Sequence, residues 1–232
     1  MREIVFDTET TGLNPSGGDR IVEIGCVEVY NRIETGRHFH AYFNPARPMP
    51  SEAEAVHGLT NIFLSDKPFF DELADDLLAF IEDSPLVAHN ASFDFGFLNF
   101  ELERSGRPPV STSRMVDTLT LARTRHPGAK HSLDALCVRF GIDRSHRVKH
   151  GALLDAQLLA QVYVELTGGR QIGLGLVADS EQIRVDANTG VVKVRELRIA
   201  RPHHAGADEL ERHRAFIGKL TNPLWARFAE VS

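Results

Sequence analysis

The sequence predicts an α/β fold in which a mixed sheet is flanked by helices and followed by a C-terminal, partly flexible tail. Strand-like runs come first, helical periodicity replaces them after Pro50, and one more strand-like run interrupts the helices. This order of strands and helices is typical of a sheet covered by helices. Of the 232 residues, 42% are hydrophobic, which is enough for the core of a domain of ordinary size.

The strands come first because runs of β-branched and aromatic residues partly alternate with polar ones. We expect strands at residues 4–6, 20–30 and about 37–43, separated by turns at 14–18 and 31–36 that are rich in Asn, Gly and Pro. This spacing predicts a three-stranded meander.

Helical periodicity then predicts six helices and one short strand in the rest of the domain. Ser51 is expected to be the N-cap of the first helix, and Asn90 or Ser92 that of the helix after the strand. The predicted bounds are 51–56, 69–81, 92–103, 116–124 and 132–140, with the strand at 86–88; a sixth helix at 152–166 ends the domain.

The periodicity changes at Thr167-Gly168-Gly169, where we place the boundary between a domain at 1–168 and a tail at 169–232. Within the tail, residues 190–194 form a weak strand candidate and 207–220 an amphipathic helix. Trp225 lies in an apolar cluster after that helix, which would be exposed unless it folds back or docks on a partner.

Composition narrows the function classes. The formal net charge of −6 disfavours a protein that grips duplex DNA by itself, because phosphate contacts normally need a basic face. Glu3 and Asp7 interrupt the N-terminus, and no apolar run is long enough to span a bilayer, so we expect no membrane association. Cys26 and Cys137 lie among apolar neighbours, which predicts buried thiols in a reducing cytoplasm.

Four acids and one histidine are the candidate site. Asp7 and Glu9 are two residues apart on the first strand and therefore project from one face. Asp94 lies in the first turn of a helix that follows a strand, and such junctions form ligand sites in open α/β sheets. His150 and Asp155 flank the start of the last helix of the domain, where a histidine near water can act as a general base.

Three motifs carry these residues in a fixed order: D-x-E in FDTETTG, H-N-x-x-F-D in HNASFD and H-x-x-x-x-D in HGALLD. Together they resemble the signature of the DEDD exonuclease superfamily in its histidine variant, which has a ribonuclease H-like fold. The resemblance covers essentially residues 1–168 and is strongest to the proofreading epsilon subunits of bacterial DNA polymerase III. It implies a 3′–5′ exonuclease that removes mismatched nucleotides from DNA 3′ ends and releases 5′-mononucleotides.

The resemblance also implies roles for these residues. Asp7, Glu9, Asp155 and Asp94 would hold two Mg²⁺ or Mn²⁺ ions, which suit hard oxygen ligands and two-metal hydrolysis of phosphodiesters. His150 would take a proton from the attacking water.

Substrate binding is expected at the same acids and beyond them. Asp7, Thr8, Glu9 and Asp155 would contact the terminal nucleotide directly or through the ions. The segment SEAEAVHGLT resembles the part of the epsilon family that contacts this nucleotide, with Glu52 and His57 at the matching positions.

The tail resembles an adaptor. The run QIGLGL after the two glycines resembles a short peptide that binds the sliding clamp, with Gln171, Leu174 and Leu176 as the contact residues. In the epsilon family, the C-terminal segment tethers the exonuclease to the catalytic alpha subunit of the polymerase. Two alternatives remain open at this point: an RNA-processing 3′–5′ exoribonuclease of the same superfamily, and a non-catalytic adaptor between clamp and polymerase.

Overall fold

The computed structural model describes residues 1–147, 149–169 and 205–221. The first two ranges belong to one compact unit and the third to another. The candidate strand at 190–194, the clamp-binding-like peptide and the cluster around Trp225 lie outside the described residues.

The first unit contains a five-stranded mixed sheet in the order β3-β2-β1-β4-β5. The pairs β1–β2 and β2–β3 are antiparallel, whereas β1–β4 and β4–β5 are parallel. The predicted fold class and opening meander are confirmed. The strands are β1 (Arg2–Thr10), β2 (Ile21–Tyr30), β3 (Ile33–Tyr42), β4 (Leu86–Ala88) and β5 (Met115–Asp117).

Eight helices are described, of which the last, α8, lies in the second unit. The helices are α1 (Ser51–His57), α2 (Asn61–Leu64), α3 (Phe70–Ile81), α4 (Ser92–Arg104), α5 (Thr118–Arg125), α6 (Leu133–Phe140), α7 (Ala152–Leu166) and α8 (Ala207–Ile217).

Two helical layers cover opposite faces of the sheet, as the alternation along β1 requires. Ile4 and Phe6 pack into a cluster with residues of α3 and α4. Val5 packs on the other face with Ala156 and Leu159 of α7. Neighbouring residues of β1 therefore point to different helices.

The structure corrects two predicted segments. The predicted turn at 31–36 is shorter, because Asn31 and Arg32 both adopt positive φ angles of 50° and 67° and form a tight reversal, so that β3 begins at Ile33. The predicted helix at 116–124 contains β5 at its start, and α5 begins only at Thr118.

The predicted N-caps were wrong. Pro50, not Ser51, occupies the N-cap position of α1, and Ala91 occupies that of α4 instead of Asn90 or Ser92. Asn90 instead adopts a positive φ of 64° in the turn before α4, where its backbone N–H donates to the Asp117 carboxylate at 3.0 Å. The short helix α2 was not predicted.

Gly25 allows α7 to approach the sheet closely. A Cβ atom at this position would lie 2.3 Å from the backbone Cα and N of Leu153. Gly25 is also the β2 residue that pairs with Asp7 of β1. The missing side chain therefore permits the start of α7 to lie beside the end of β1, where the candidate site is expected.

None of the described helices is long and apolar enough to cross a membrane. Cys26 and Cys137 are both buried, as predicted.

Candidate active site

The end of β1 carries two acids, of which Asp7 is half-buried and Glu9 is buried. Glu9 is only 8% exposed, and its side chain reaches the start of α7. Thr8, on the opposite face, reaches α4 instead. The alternation predicted for this strand is confirmed, and it places acidic groups of β1 between two helix starts.

Asp94 lies in the first turn of α4, directly after β4, and is 3% exposed. The Thr8 hydroxyl donates a hydrogen bond to its Oδ1 at 2.7 Å. Burial raises the pKa of Asp94 to about 7, and the Thr8 hydroxyl acts in the opposite direction. The strand-to-helix junction thus holds a buried acid against β1, as the sequence predicted.

His150 and Asp155 approach from the third segment. Asp155 is 3% exposed in the first turn of α7, whereas the His150 side chain is 48% exposed in the loop before it. The Nδ1 atom of His150 lies 3.3 Å from Oδ2 of Asp155. Ligand atoms of Glu9, His150 and Asp155 all lie within 4.8 Å of one another, so these three residues could hold a metal ion.

The electrostatics of the site are those of crowded, buried carboxyls. Burial raises the pKa of Glu9 to about 8, with further contributions from Glu23 and Asp155. Burial, followed by the charges of Asp94, Glu9 and Asp155, raises the pKa of Asp7 well above its ordinary value. The cluster therefore stores unfavourable charge that a bound cation would neutralise.

Arg147 is a site residue that the sequence reasoning missed. Its Nε and Nη2 atoms donate to Oδ1 and Oδ2 of Asp155 at 2.5 and 2.7 Å, and Nη2 lies 2.8 Å from Nδ1 of His150. The hydrogen bond with Asp155 is the main cause that raises the pKa of Arg147. The only feature of the sequence that could have pointed to Arg147 is its position three residues before His150.

Glu23 was also missed. It pairs with Glu9 across β1 and β2, is 3% exposed, and lies 2.7 Å from Nε2 of His40. Only the register of the two strands brings these acids together, and that register is not visible in the sequence.

The predicted substrate residues lie beside this cluster and at its border. The His150 backbone N–H donates to the Val56 carbonyl at 3.4 Å, which joins the histidine loop to α1. His57 is buried at the C-terminal end of α1, and Glu52 is exposed in its first turn. The predicted clamp contacts Gln171, Leu174 and Leu176 lie outside the described residues.

Comparisons with known proteins agree with this arrangement. A family model described as an exonuclease, RNase_T, matches residues 4–163. DNA polymerase III subunit epsilon of Rickettsia typhi is 47% identical and covers 95% of this chain and 97% of its own length. The corresponding subunit of Escherichia coli K12 is 43% identical and covers 92% of this chain and 91% of its own length.

Solved structures give the same fold. Exonuclease X in complex with 5′ overhanging duplex DNA is 28% identical and has a TM-score of 0.55, over 71% of this chain and 90% of that chain. Escherichia coli exonuclease I in a complex with single-stranded DNA has a TM-score of 0.63, over 73% of this chain and 41% of its own, but only 19% identity. The second likeness supports the fold alone.

Fold, site and family model together define an exonuclease with a ribonuclease H-like fold and a carboxylate–histidine site. The relatives match along more than nine tenths of the chain. The chain belongs to the family of DNA polymerase III epsilon subunits, and the predicted 3′–5′ DNA exonuclease activity is confirmed.

Proposed function

We propose that this exonuclease proofreads DNA 3′ ends with two divalent cations, Mg²⁺ or Mn²⁺, held by Asp7, Glu9, Asp94 and Asp155, and that His150 is its general base. The convergence of Glu9, His150 and Asp155 from a strand, a loop and a helix carries the proposal. A fold gains no stability from gathering buried acids at one point, so a ligand is the physical reason for the arrangement.

The donor set fits hard cations. The group formed by Glu9, His150 and Asp155 offers carboxylate oxygens and one imidazole nitrogen, which are ligands that hard divalent cations accept. The raised pKa values of Asp7, Glu9 and Asp94 have burial as their largest cause. Bound divalent cations would neutralise the carboxylates, stabilise charge on the phosphate and activate water.

His150 is suited to proton transfer because nearly half of its ring is open to water while its loop is held by α1 and α7. In the proposed reaction, a water molecule attacks the terminal phosphorus and its proton passes to the imidazole. The bond to the 3′ oxygen of the preceding nucleotide breaks, and a 5′-mononucleotide leaves. In this reaction the ring would carry its own proton on Nδ1, where Oδ2 of Asp155, 3.3 Å away, would orient it, and Nε2 would take the proton of the water.

His57 supplies a polar group for the terminal nucleotide. Its Nδ1 accepts a hydrogen bond from the Leu59 N–H at 3.0 Å, so the ring proton of the neutral imidazole lies on Nε2. Nε2 is buried and has no hydrogen-bond partner among the described residues. The backbone of Thr10 and the charge of Glu23 act on this ring, so it lies near the end of β1. A buried donor there supports a role in substrate binding, and Glu52 on the same helix is proposed to assist it.

We further propose that residues 169–232 connect the enzyme to its partners in the cytoplasm. Gln171, Leu174 and Leu176 would contact the sliding clamp, and the C-terminal segment would bind the catalytic alpha subunit. The family assignment supports an association with DNA polymerase III. The net charge of −6 adds to this support, because an acidic enzyme needs a partner to hold it on DNA.

The proposal is tested by digesting 3′-labelled DNA and RNA oligonucleotides side by side, with and without a chelator. Asp7→Ala and His150→Ala should each abolish release of nucleotides from a mismatched 3′ end in Mg²⁺. Asp75→Ala, in an exposed pair with Arg107, is the matched control and should leave the rate unchanged. Normal rates in the first two variants would refute the mechanism, and faster digestion of RNA would favour RNA processing.

A further inference from the structure

Arg147 is a largely buried cation in direct contact with Asp155 and His150 of the candidate site. Its side chain is only 9% exposed, although it belongs to a loop. Nε and Nη2 grip both oxygens of Asp155, Nη2 also contacts His150, and Nη1 donates to Oδ1 of Asp134 at 3.0 Å. The guanidinium therefore contacts two of the three residues that could hold a metal ion.

The chemistry of these contacts is restrictive. A guanidinium donates hydrogen bonds and accepts none, and it stays charged in proteins. Because Nη2 of Arg147 lies 2.8 Å from Nδ1 of His150, this nitrogen must be the acceptor, and the neutral ring carries its proton on Nε2. Both carboxylate oxygens of Asp155 and Nδ1 of His150 are thus engaged by an internal cation.

The charge of Arg147 also extends beyond its hydrogen bonds. Among the causes that act on the pKa values of Asp7 and Glu9, the carboxyls nearby raise them and Arg147 lowers them. A positive charge at this place does electrostatically part of what a bound cation would do.

We propose that Arg147 and a divalent cation compete for the carboxylate of Asp155, and that the loss of Arg147 from Asp155 also frees the Nδ1 atom of His150. In the metal-free enzyme Arg147 is the counter-ion of the acid cluster, and cation binding displaces it from both residues while Asp134 keeps it nearby. The inference rests on the proposed metal site. Arg147 is accordingly a positioning residue that keeps His150 out of its catalytic arrangement until the metal is loaded.

The competing explanation is a permanent structural ion pair. Removing one partner of such a pair leaves a buried charge and damages the geometry of Asp155, so metal binding would become weaker. Competition requires the opposite sign, since losing the internal cation removes a rival and leaves the acids more negative. The direction of the change in metal affinity therefore separates the two explanations.

The first experiment titrates Mn²⁺ into the full-length protein without DNA and measures bound ion by electron paramagnetic resonance. We expect Arg147→Met to bind Mn²⁺ about 10-fold more tightly than the unsubstituted protein, within the usual range of coupling between sites. Arg144→Met is the matched control, because Arg144 binds the same oxygen of Asp134 at 2.6 Å, and its affinity should not change.

The outcomes are distinguishable. An unchanged or weaker affinity in Arg147→Met, with normal binding in the unsubstituted protein, overturns the competition and leaves the proposed function intact. If the unsubstituted protein itself binds no Mn²⁺, both the metal site and this inference fail.

A second measurement follows Arg147 in the unsubstituted protein and uses a variant only to assign its resonance. The Nε–H resonance of Arg147, assigned by comparison with Arg147→Lys, should be protected from solvent exchange in the metal-free protein because it donates to Asp155. Saturating Mg²⁺ should accelerate its exchange by at least about 10-fold. Protection that survives Mg²⁺ saturation contradicts displacement.

Discussion

At the scale of single residues, neighbouring side chains of β1 contact two different helices. Glu9 reaches α7 on one face of the sheet, while Thr8 donates to Asp94 of α4 on the other. This hydrogen bond lowers the pKa of Asp94 against the larger effect of burial, because a donor favours the charged state of a carboxyl group. Thr8 thus adjusts the acid–base state of a group that lies 86 positions further along the chain.

Replacing Thr8 by Val should make the enzyme more dependent on high pH. The valine has nearly the same shape but donates no hydrogen bond, so the pKa of Asp94, already about 7, should rise further. We expect activity at pH 7 to fall about 3–10-fold and to recover partly at pH 9, as measured from pH–rate profiles at a Mg²⁺ concentration below saturation, where protons and the ion compete for Asp94.

The control for this substitution is Thr10→Val on the same strand. Its hydroxyl donates to the Gly12 carbonyl at 2.6 Å rather than to an acid, so its loss should leave the shape of the pH profile unchanged. Parallel profiles for Thr8→Val and the unsubstituted enzyme would contradict the role assigned to Thr8.

At the scale of elements, the contact between β2 and α7 positions the acids. Gly25 pairs with Asp7 and lies directly under the backbone of Leu153, two residues before Asp155. Because Gly25 has no side chain, the start of α7 packs directly against the backbone of β2. The absence of a Cβ atom at Gly25 therefore allows Asp155 on α7 to lie close to Glu9 on β1.

Replacing Gly25 by Ala should displace the start of α7. The added Cβ would lie 2.3 Å from backbone atoms, which cannot move as a flexible side chain does. We expect a loss of stability of about 1–3 kcal/mol, as for other overpacked sites, together with a large loss of activity and of Mn²⁺ affinity. Chemical denaturation and metal titration measure the two effects.

Gly96→Ala is the matched control, since Gly96 is exposed in α4 and a Cβ there would meet no atom within 4 Å. It should stabilise the helix by about 0.5–1 kcal/mol and leave activity unchanged. If Gly25→Ala behaves in the same way as Gly96→Ala, the close approach does not position the site.

Four of the site residues could be placed from the sequence because they lie on regular strands and helices. The places of Asp7, Glu9, Asp94 and Asp155 follow from local rules, because strand alternation and helix starts depend on neighbouring residues only. Arg147 could not be predicted in this way. Its contacts with Asp134 and Asp155 join a loop to the starts of two helices and exist only in the folded chain.

The fold was less visible where tertiary contacts override local signals. Strand β5 is three residues long and directly precedes α5, so its apolar residues were assigned to the helix. Its pairing with β4, for example Val87 with Val116, decides its conformation. The cap of α4 was missed for a similar reason, because Asn90 is held by Asp117, 27 positions away.

At the scale of the whole molecule, the described site is complete within the first unit. All five predicted catalytic residues lie before Gly169. We therefore expect a chain that ends at Gly169 to hydrolyse short single-stranded DNA as fast as the full chain does. Binding of the sliding clamp, measured on a biosensor, should be lost in the shortened chain and weakened by Gln171→Ala with Leu174→Ala in the full chain.

Two results would contradict this division of roles between the domain and the tail. Clamp binding that survives removal of residues 170–232 would show that the contact lies elsewhere in the chain. A shortened chain that folds but no longer cleaves single strands would show that the tail contributes to the site itself.

The acid cluster should also set the pH dependence of the whole protein's stability. In the metal-free fold the pKa is about 8 for Glu9 and about 7 for Asp94, against ordinary values of 4.5 and 3.8. Raised values mean that the folded state binds these protons more tightly than the unfolded state does. This contribution is complete below about pH 4 and is lost as the pH rises through 7 and 8.

Saturating Mg²⁺ should reverse this trend, because the cation binds the ionised carboxylates and its stabilisation grows as they lose their protons. With a chelator, we expect the melting temperature to fall between pH 5.5 and 8.5 by more than the roughly 2–4 °C that 1 kcal/mol gives a domain of this size. With Mg²⁺ it should stay level or rise over the same range. Asp94→Asn, which removes one titrating group, should reduce the fall, whereas the exposed substitution Asp75→Asn should not alter it. Equal slopes with and without Mg²⁺ would mean that these acids do not bind the ion, and that their burial needs another explanation.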